Sequence, residues 1–181
     1  RSQVVEALGD ERIFYTDGLL AFESQGAGSE EVAHFPLLAH PDPRRVLLIG
    51  GGVAGDLREI LKHGIDAVTY VELDPTSIEA AHGSLPAADT AALDDPRIRV
   101  VATDGRRFVN TTDERFDAVI LDLPGPVTGA LNRFYTAEFF AAAWSILRPG
   151  GVLALHLPAA ENYWSPELVR RNASIYRTLA A

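Results

Sequence analysis

The chain contains no cysteine and no methionine among its 181 residues. Without cysteine it has neither a disulfide framework nor a thiolate metal site, which suits a reducing compartment, and a cytoplasmic location is expected. Without methionine there is no initiator before Arg1, so the expectation is an excised or processed piece of a longer protein. No run approaches the roughly 20 apolar residues that a membrane span needs, and no signal peptide is visible. Net positive charge is lacking as well, with 25 Asp and Glu against 16 Lys and Arg leaving −9. Nucleic-acid affinity is built from clustered Lys and Arg, so no such partner is expected. The pairs Arg44 with Arg45, Arg106 with Arg107 and Arg170 with Arg171 are short and scattered, and read as solvated surface. A negative field would instead draw in a cationic substrate. His40, His63, His82 and His156 show no metal-ligand spacing and no partnered nucleophile, so they are assigned to surface or core and no metal is expected. Asn110 and Asn172 open glycosylation sequons that read as chance.

What is present is an ordinary globular balance of 47% hydrophobic and 23% charged residues, enough for a substantial core. Its most informative stretch runs from Val46 to Asp74: an apolar strand, a glycine turn, a helix, a second strand and a carboxylate at its tip. Gly50, Gly52 and Gly55 fit G-x-G-x-x-G, with Gly51 between them, and Glu72 follows at the distance where an acid meets a ribose hydroxyl. Gly50 suits the tight turn, Gly52 lets the main chain approach a ligand, and Gly55 lets the helix lie close to the sheet. The segment reads as a nucleoside pocket.

Around it the chain divides into a small β-hairpin segment, residues 1–28, and a Rossmann-like domain, residues 29–181. Gln3 to Glu23 alternates in short β-like runs with turn signals at Gly9-Asp10 and Asp17-Gly18. A helix opens at Ser29, with Glu30 and Glu31 in its first turn, and Pro41 and Pro43 end it. Strands are expected at Val46–Ile49, Ala67–Glu72, Ile98–Ala102, Phe116–Leu121 and Gly151–Leu157, each apolar as if buried on both faces of a parallel sheet. Helices lie between them. Asp74-Pro75 and Ser165-Pro166 are cap pairs, Pro149-Gly150-Gly151 is expected to stop the helix that runs from Thr136, and Phe140, Trp144, Ile146 and Leu147 are expected in the core. Such alternation predicts an α/β, doubly wound parallel sheet with its ligand at the carboxyl ends of the strands.

Those ends carry Gly50 to Gly52, Glu72, Asp104 with Gly105, and Asp122. Each carboxylate has a plainer use, Asp104 as a helix cap and Asp122 as a turn residue before Pro124. Together they suit an adenosine, whose ribose hydroxyls meet Glu72 and whose exocyclic amine meets Asp104.

Through GGGVAGDLREILKH, VELD, ATDGRRF, FDAVILDLPGP and FYTAEFF the chain resembles the spermidine synthases, or polyamine aminopropyltransferases, over nearly its whole length. The tail LPAAENYWSPELVRRNASIYRTL resembles the variant found as a cytosolic domain in bacterial membrane-fused proteins of this kind. The resemblance implies a methyltransferase-type Rossmann fold behind a small N-terminal β unit, and the expected partners are a second copy and, in the parent protein, a membrane domain. It implies decarboxylated S-adenosylmethionine as donor, or S-adenosylmethionine itself, and putrescine or a related polyamine as acceptor. By the same resemblance Glu72 is the ribose ligand, Asp104 the adenine contact and Asp122 the first carboxylate of the gate loop, hence the candidate catalytic residue. Asp17 with Gly18 matches the hairpin motif, and His34 and Tyr135 are candidate acceptor contacts. The resemblance also implies two further sheet strands after the helix from Ser165, so the sheet is expected to lack a terminal hairpin.

Departures cluster on the acceptor side. The family's GGGDGG has Val53 where its Asp holds the donor amine, and the second gate-loop Asp, the expected proton acceptor, is Gly125 here. Ala21 and Ala33 replace a Gln and a Tyr. Removing a general base typically costs ~10²- to 10⁴-fold in rate. Asp56, Glu30 and Glu31 lie near enough in sequence to stand in, but the loss is expected to be unreplaced. Three functions therefore compete: impaired aminopropyl transfer, an S-adenosylmethionine-dependent methyltransferase, and a non-catalytic nucleoside sensor or scaffold. An NAD-dependent dehydrogenase fits the glycine turn but not Asp104 and Asp122.

Overall fold

The computed structural model describes residues 3–8, 11–16, 19–23, 28–157 and 164–180. Strands β1 (Gln3–Leu8), β2 (Glu11–Thr16) and β3 (Leu19–Glu23) form an antiparallel meander, one strand more than the expected hairpin. Each turn signal accounts for one reversal, and two reversals need three strands. The turn residues themselves, Asp17 and Gly18 included, lie outside the described residues, as does the side chain of Ala21.

After helix α1 (Gly28–Ala39) strand and helix alternate: β4 (Arg45–Ile49), a 3-10 turn at Gly52–Ala54, α2 (Asp56–Ile60), β5 (Ala67–Glu72), α3 (Pro75–Ser84), α4 (Ala87–Leu93), β6 (Ile98–Ala102) and α5 (Gly105–Thr111). The chain then adds β7 (Phe116–Leu121), α6 (Gly129–Asn132), α7 (Ala137–Ser145), β8 (Leu147–Leu155) and α8 (Pro166–Leu179). The five strands from β4 to β8 form one parallel sheet in the order β6-β5-β4-β7-β8. The chain winds outward from β4 to β6, then returns to add β7 and β8 on the other side. Order reverses between β4 and β7, and a crevice opens at the carboxyl ends of such neighbours.

The apolar runs divide their side chains between two layers, as a period of two requires. Val46 and Leu48 of β4 pack with Leu37 of α1 and Leu57 and Ile60 of α2. Leu47 and Ile49 pack with Phe108 of α5, Phe139 and Phe140 of α7 and Ile175 of α8. Within the parallel sheet β4, β5 and β7 are buried along most of their length; β6 is an edge with Arg99 and Val100 exposed, and β8 is half-buried at the other edge. Buried Asp117 ties the start of β7 to its neighbours, accepting from the Arg44 and Arg45 N–H groups at 2.9 and 2.8 Å and from the Arg148 guanidinium. Burial pulls its pKa up, but those hydrogen bonds outweigh it and hold the carboxyl below the ordinary range.

The expected caps are in place: Asp74 accepts from the Thr76 N–H and Ser165 from the Leu168 N–H, each ahead of a proline at the first helical position. Two expectations at α7 are corrected. The helix ends at Ser145 and β8 starts at Leu147, because Leu147 already pairs with Phe116. Pro149-Gly150-Gly151 is therefore an irregularity inside the strand, with Gly150 at φ +82°, rather than a helix stop. Trp144 is 63% exposed, since Phe139, Phe140 and Ala143 fill the buried face of α7.

Candidate active site

The parallel strands end together, and backbone hydrogen bonds continue the sheet one residue beyond them. Gly50 N–H reaches Val71 O, Thr103 N–H reaches Glu72 O, Asp122 N–H reaches Ile49 O, and His156 N–H reaches Leu121 O, all between 3.0 and 3.2 Å. These bonds set Gly50, Glu72, Asp104, Asp122 and His156 along one rim.

Gly50 and Gly51 have φ of +77° and +67°, a region that disfavours any side chain. Space matters as much as dihedral angle. A Cβ on Gly51 would run into one carboxylate oxygen of Asp56 and one of Asp122. A Cβ on Gly52 would meet the ring of Tyr70, so this glycine clears room for a buried tyrosine. Gly55, at φ +108°, lies beside Ser29 and so packs the turn against α1. Gly105 opens α5 beneath the rim, where a Cβ would strike Ile49.

Glu72 has one oxygen bonded by the Tyr70 hydroxyl at 2.9 Å and the other by the Asp74 N–H at 2.9 Å. Both bonds aim the carboxylate along the rim, and each oxygen keeps a lone pair for a further donor. Burial, helped by the Glu72 charge, pushes the Tyr70 hydroxyl well above its ordinary range, so it remains the donor. Asp104 serves as the N-cap of α5, accepting from the Arg107 N–H at 2.9 Å, and also pairs with the Arg133 guanidinium. Burial opposes ionisation there, but these partners prevail and its pKa sits below the ordinary range. Its plainer use as a cap is realised, and an adenine amine would share it with Arg133.

Tyr135 is buried, and its hydroxyl meets Leu123 O at 3.1 Å and Pro124 O at 3.0 Å. It props the loop after β7, and burial pushes its pKa up to about 12. His34 has both ring nitrogens engaged, Nδ1 with His63 Nε2 at 2.8 Å and Nε2 with Glu59 at 3.2 Å. It serves the junction of α1 and α2. Buried Glu59 also receives Arg58 and Lys62; burial favours its neutral form, but the two cations win and hold it below the ordinary range.

Sequence reasoning missed one residue and set another aside. His156, assigned to surface or core use, has Nδ1 3.0 Å from Asp122 Oδ1 and stands at the end of β8. The signal was available, because the rule that polar residues follow strand ends finds His156 once the strand is ended at Leu155 instead of Leu157. Asp56 is 1% exposed and converges with Asp122 above Gly51, with neither of its carboxylate oxygens hydrogen-bonded. Burial, then the nearby Asp122 charge, push its pKa far above the ordinary range. Asp56, weighed from the sequence as a stand-in that was not expected to replace the lost acids, lies beside Asp122. Val53 is buried in the core beside α1, and a Cβ at Gly125 would lie 3.6 Å from an Arg171 nitrogen. Among the described residues no group of His, Asp and Glu has the arrangement of a metal site, and no helix is long and apolar enough to cross a membrane.

Comparison with known proteins gives a consistent result. Residues 26–171 match the spermine/spermidine synthase domain. The chain is 42% identical over 127 residues to a polyamine aminopropyltransferase of Korarchaeum cryptofilum, covering 70% of this chain and 39% of that protein. It is 43% identical over 125 residues to polyamine aminopropyltransferase 1 of Pseudomonas aeruginosa, covering 68% and 43%. A solved spermidine synthase in complex with the transition state analogue AdoDATO superposes with a TM-score of 0.79 at 31% identity, over 93% of this chain and 57% of that one. The spermidine synthase of Thermotoga maritima gives 0.74 at 29% identity, over 93% and 55%. The chain thus spans about half the length of the proteins it matches, or less.

Proposed function

We propose, since the chain belongs to the spermine/spermidine synthase family, that it binds an S-adenosyl-type nucleoside and passes an aminopropyl group from decarboxylated S-adenosylmethionine to putrescine or a related amine. The observation that carries this reading is the shared rim of Glu72, Asp104 and Asp122 beside the glycine turn. Glu72 takes the ribose hydroxyls and Asp104 the adenine amine. Asp122 then stands where the sulfonium carbon and the amine meet. A sulfonium is already a good electrophile, so the protein has to align it, accept a proton and exclude water.

The acceptor end is impaired. The position expected to carry the second gate-loop carboxylate is Gly125, and Arg171 lies against it. Restoring the acid is therefore not enough. Gly125→Asp forms an ion pair with Arg171, which lowers the basicity of the new carboxylate, and is expected to raise turnover less than about tenfold. The initial rate of methylthioadenosine release with putrescine measures this, and a gain of about a hundredfold or more would show that Arg171 does not neutralise the acid.

Burial of Val53 in the apolar core favours a second reading, an S-adenosylmethionine-dependent methyltransferase, because no carboxylate at that position selects the decarboxylated donor. Calorimetric titration with methylthioadenosine, S-adenosylmethionine and its decarboxylated form separates the readings. Preference for the decarboxylated donor, with aminopropyl product on mixing with putrescine, supports the first. Equal affinity for both donors with methylated product supports the second, and binding of neither donor nor methylthioadenosine overturns both.

A further inference from the structure

We propose that His156, held by Asp122, is the base that takes the proton from the acceptor amine; this rests on the aminopropyl-transfer reading above. His156 follows β8 on the same rim, its backbone tied to Leu121 O and its Nδ1 3.0 Å from Asp122 Oδ1. A carboxylate oxygen only accepts, so Nδ1 carries the proton and Nε2 presents its lone pair. The imidazole side chain is 43% exposed, open to a substrate, while Asp122 is 21% exposed.

Asp56 completes the arrangement from below. Fully buried and without a hydrogen-bond partner, it converges with the other Asp122 oxygen above Gly51. Two carboxylates this close do not ionise together cheaply, and the more buried one keeps the proton. Asp122 is left to accept from the imidazole. The groups facing His156 are Asp122 after β7, Glu31 on α1, and Asp56 on α2 behind Asp122. The Asp122 hydrogen bond, above all, raises the His156 pKa against the effect of burial, and the Asp122 and Glu31 charges act the same way.

The chemistry favours this residue. An alkylammonium has a pKa near ~10, and imidazole is a stronger base than an ordinary carboxylate by about two pK units. Nε2 takes one proton from the ammonium, giving a neutral amine and an imidazolium paired with Asp122. The amine lone pair then forms the new C–N bond as the C–S bond breaks, and that electron pair stays on sulfur as the neutral thioether. The product carries its charge as a secondary ammonium. Imidazolium returns its proton to solvent.

The test uses decarboxylated S-adenosylmethionine and putrescine, with His156→Gln and Asp122→Asn. His156→Gln is expected to lower kcat by roughly 10²- to 10⁴-fold and to remove the fall in rate as pH drops through the raised histidine pKa. Its Kd for methylthioadenosine should stay within about threefold, as for a group that acts only on the acceptor. In the wild type the His156 ring should titrate above ~6.5 by NMR, with its neutral form protonated on Nδ1, and return toward ~6.5 in Asp122→Asn. A His156→Gln protein with wild-type rate and pH profile overturns the proposal. So does a wild type that binds methylthioadenosine but transfers nothing. Failure of the wild type to bind methylthioadenosine brings down the underlying reading instead, and the base assignment with it.

Discussion

Glu72→Ala is expected to weaken methylthioadenosine binding by roughly 10²- to 10⁴-fold, the loss of two hydrogen bonds to a charged acceptor at about 1.5–3 kcal/mol each. The carboxylate stands at the tip of β5, fixed by the Tyr70 hydroxyl and the Asp74 N–H, with a lone pair left on each oxygen. A preorganised acceptor loses little on binding, so its deletion removes most of the ribose interaction. The same change leaves the proton of the buried Tyr70 hydroxyl without its Glu72 acceptor, at about 1–3 kcal/mol of stability. Pairing Glu72→Ala with Tyr70→Phe removes that orphan and separates the effects: thermal stability should recover in the double variant while calorimetric affinity stays low. A loss of less than about fivefold in the double variant would remove Glu72 from the ribose site.

Asp56→Asn is expected to stabilise the fold near neutral pH, and by an amount that grows with pH. Asp56 is buried beside Asp122, and its folded pKa lies far above the unfolded value near ~3.9. Between those two values the unfolded chain has released the proton while the folded chain still holds it. The unfolded state then binds fewer protons, so stability falls as pH rises through this window. Below the unfolded pKa both states are protonated and the penalty vanishes. Asparagine has no proton to lose, so the variant and the wild type should melt together near pH ~4 and separate as pH rises. A gain on the order of 1–3 kcal/mol, about one to two pH units of that window at ~1.4 kcal/mol each, corresponds to several degrees in a chain of this length. Melting curves at a series of pH values read it directly; a constant offset would mean that Asp56 is ionised identically in both states.

Much of the site was legible because parallel strands share a direction. A short apolar run that ends in Gly50, Glu72, Asp104 or Asp122 places that residue on the common edge wherever the strand sits in the sheet. The reading failed where local pattern and tertiary pairing disagree. Pro149-Gly150-Gly151 has the composition of a helix stop, yet Leu147 before it already pairs with Phe116, and the glycines serve as a kink within β8. The shifted boundary hid His156, flanked by Leu155 and Leu157 as if inside a strand. Asp56 was named as a stand-in and then set aside, and an acid in the first turn of a helix does have a routine use in the helix dipole. Nothing local announces that Gly51 brings it to Asp122 across a gap of 66 positions in the sequence, the difference between 122 and 56.

By itself the sequence determined the alternation of strand and helix, the parallel sheet, the glycine turn, and which carboxylates stand at the strand ends. These follow from short-range rules: periodicity, capping and the steric demands of glycine. The tertiary structure decided which of those groups are available and which are spent. It assigned Asp104 to a cap and to Arg133, both nitrogens of His34 to Glu59 and His63, and Tyr135 to the loop after β7. It also brought Asp56 and His156 to the two sides of Asp122. Burial and partnership set the protonation of a side chain, and both depend on residues far away in the chain. For that reason the strand-end carboxylates proposed to hold a nucleoside are legible in the sequence, whereas the histidine proposed as the base and Asp56 behind its partner come together only once the sheet has closed.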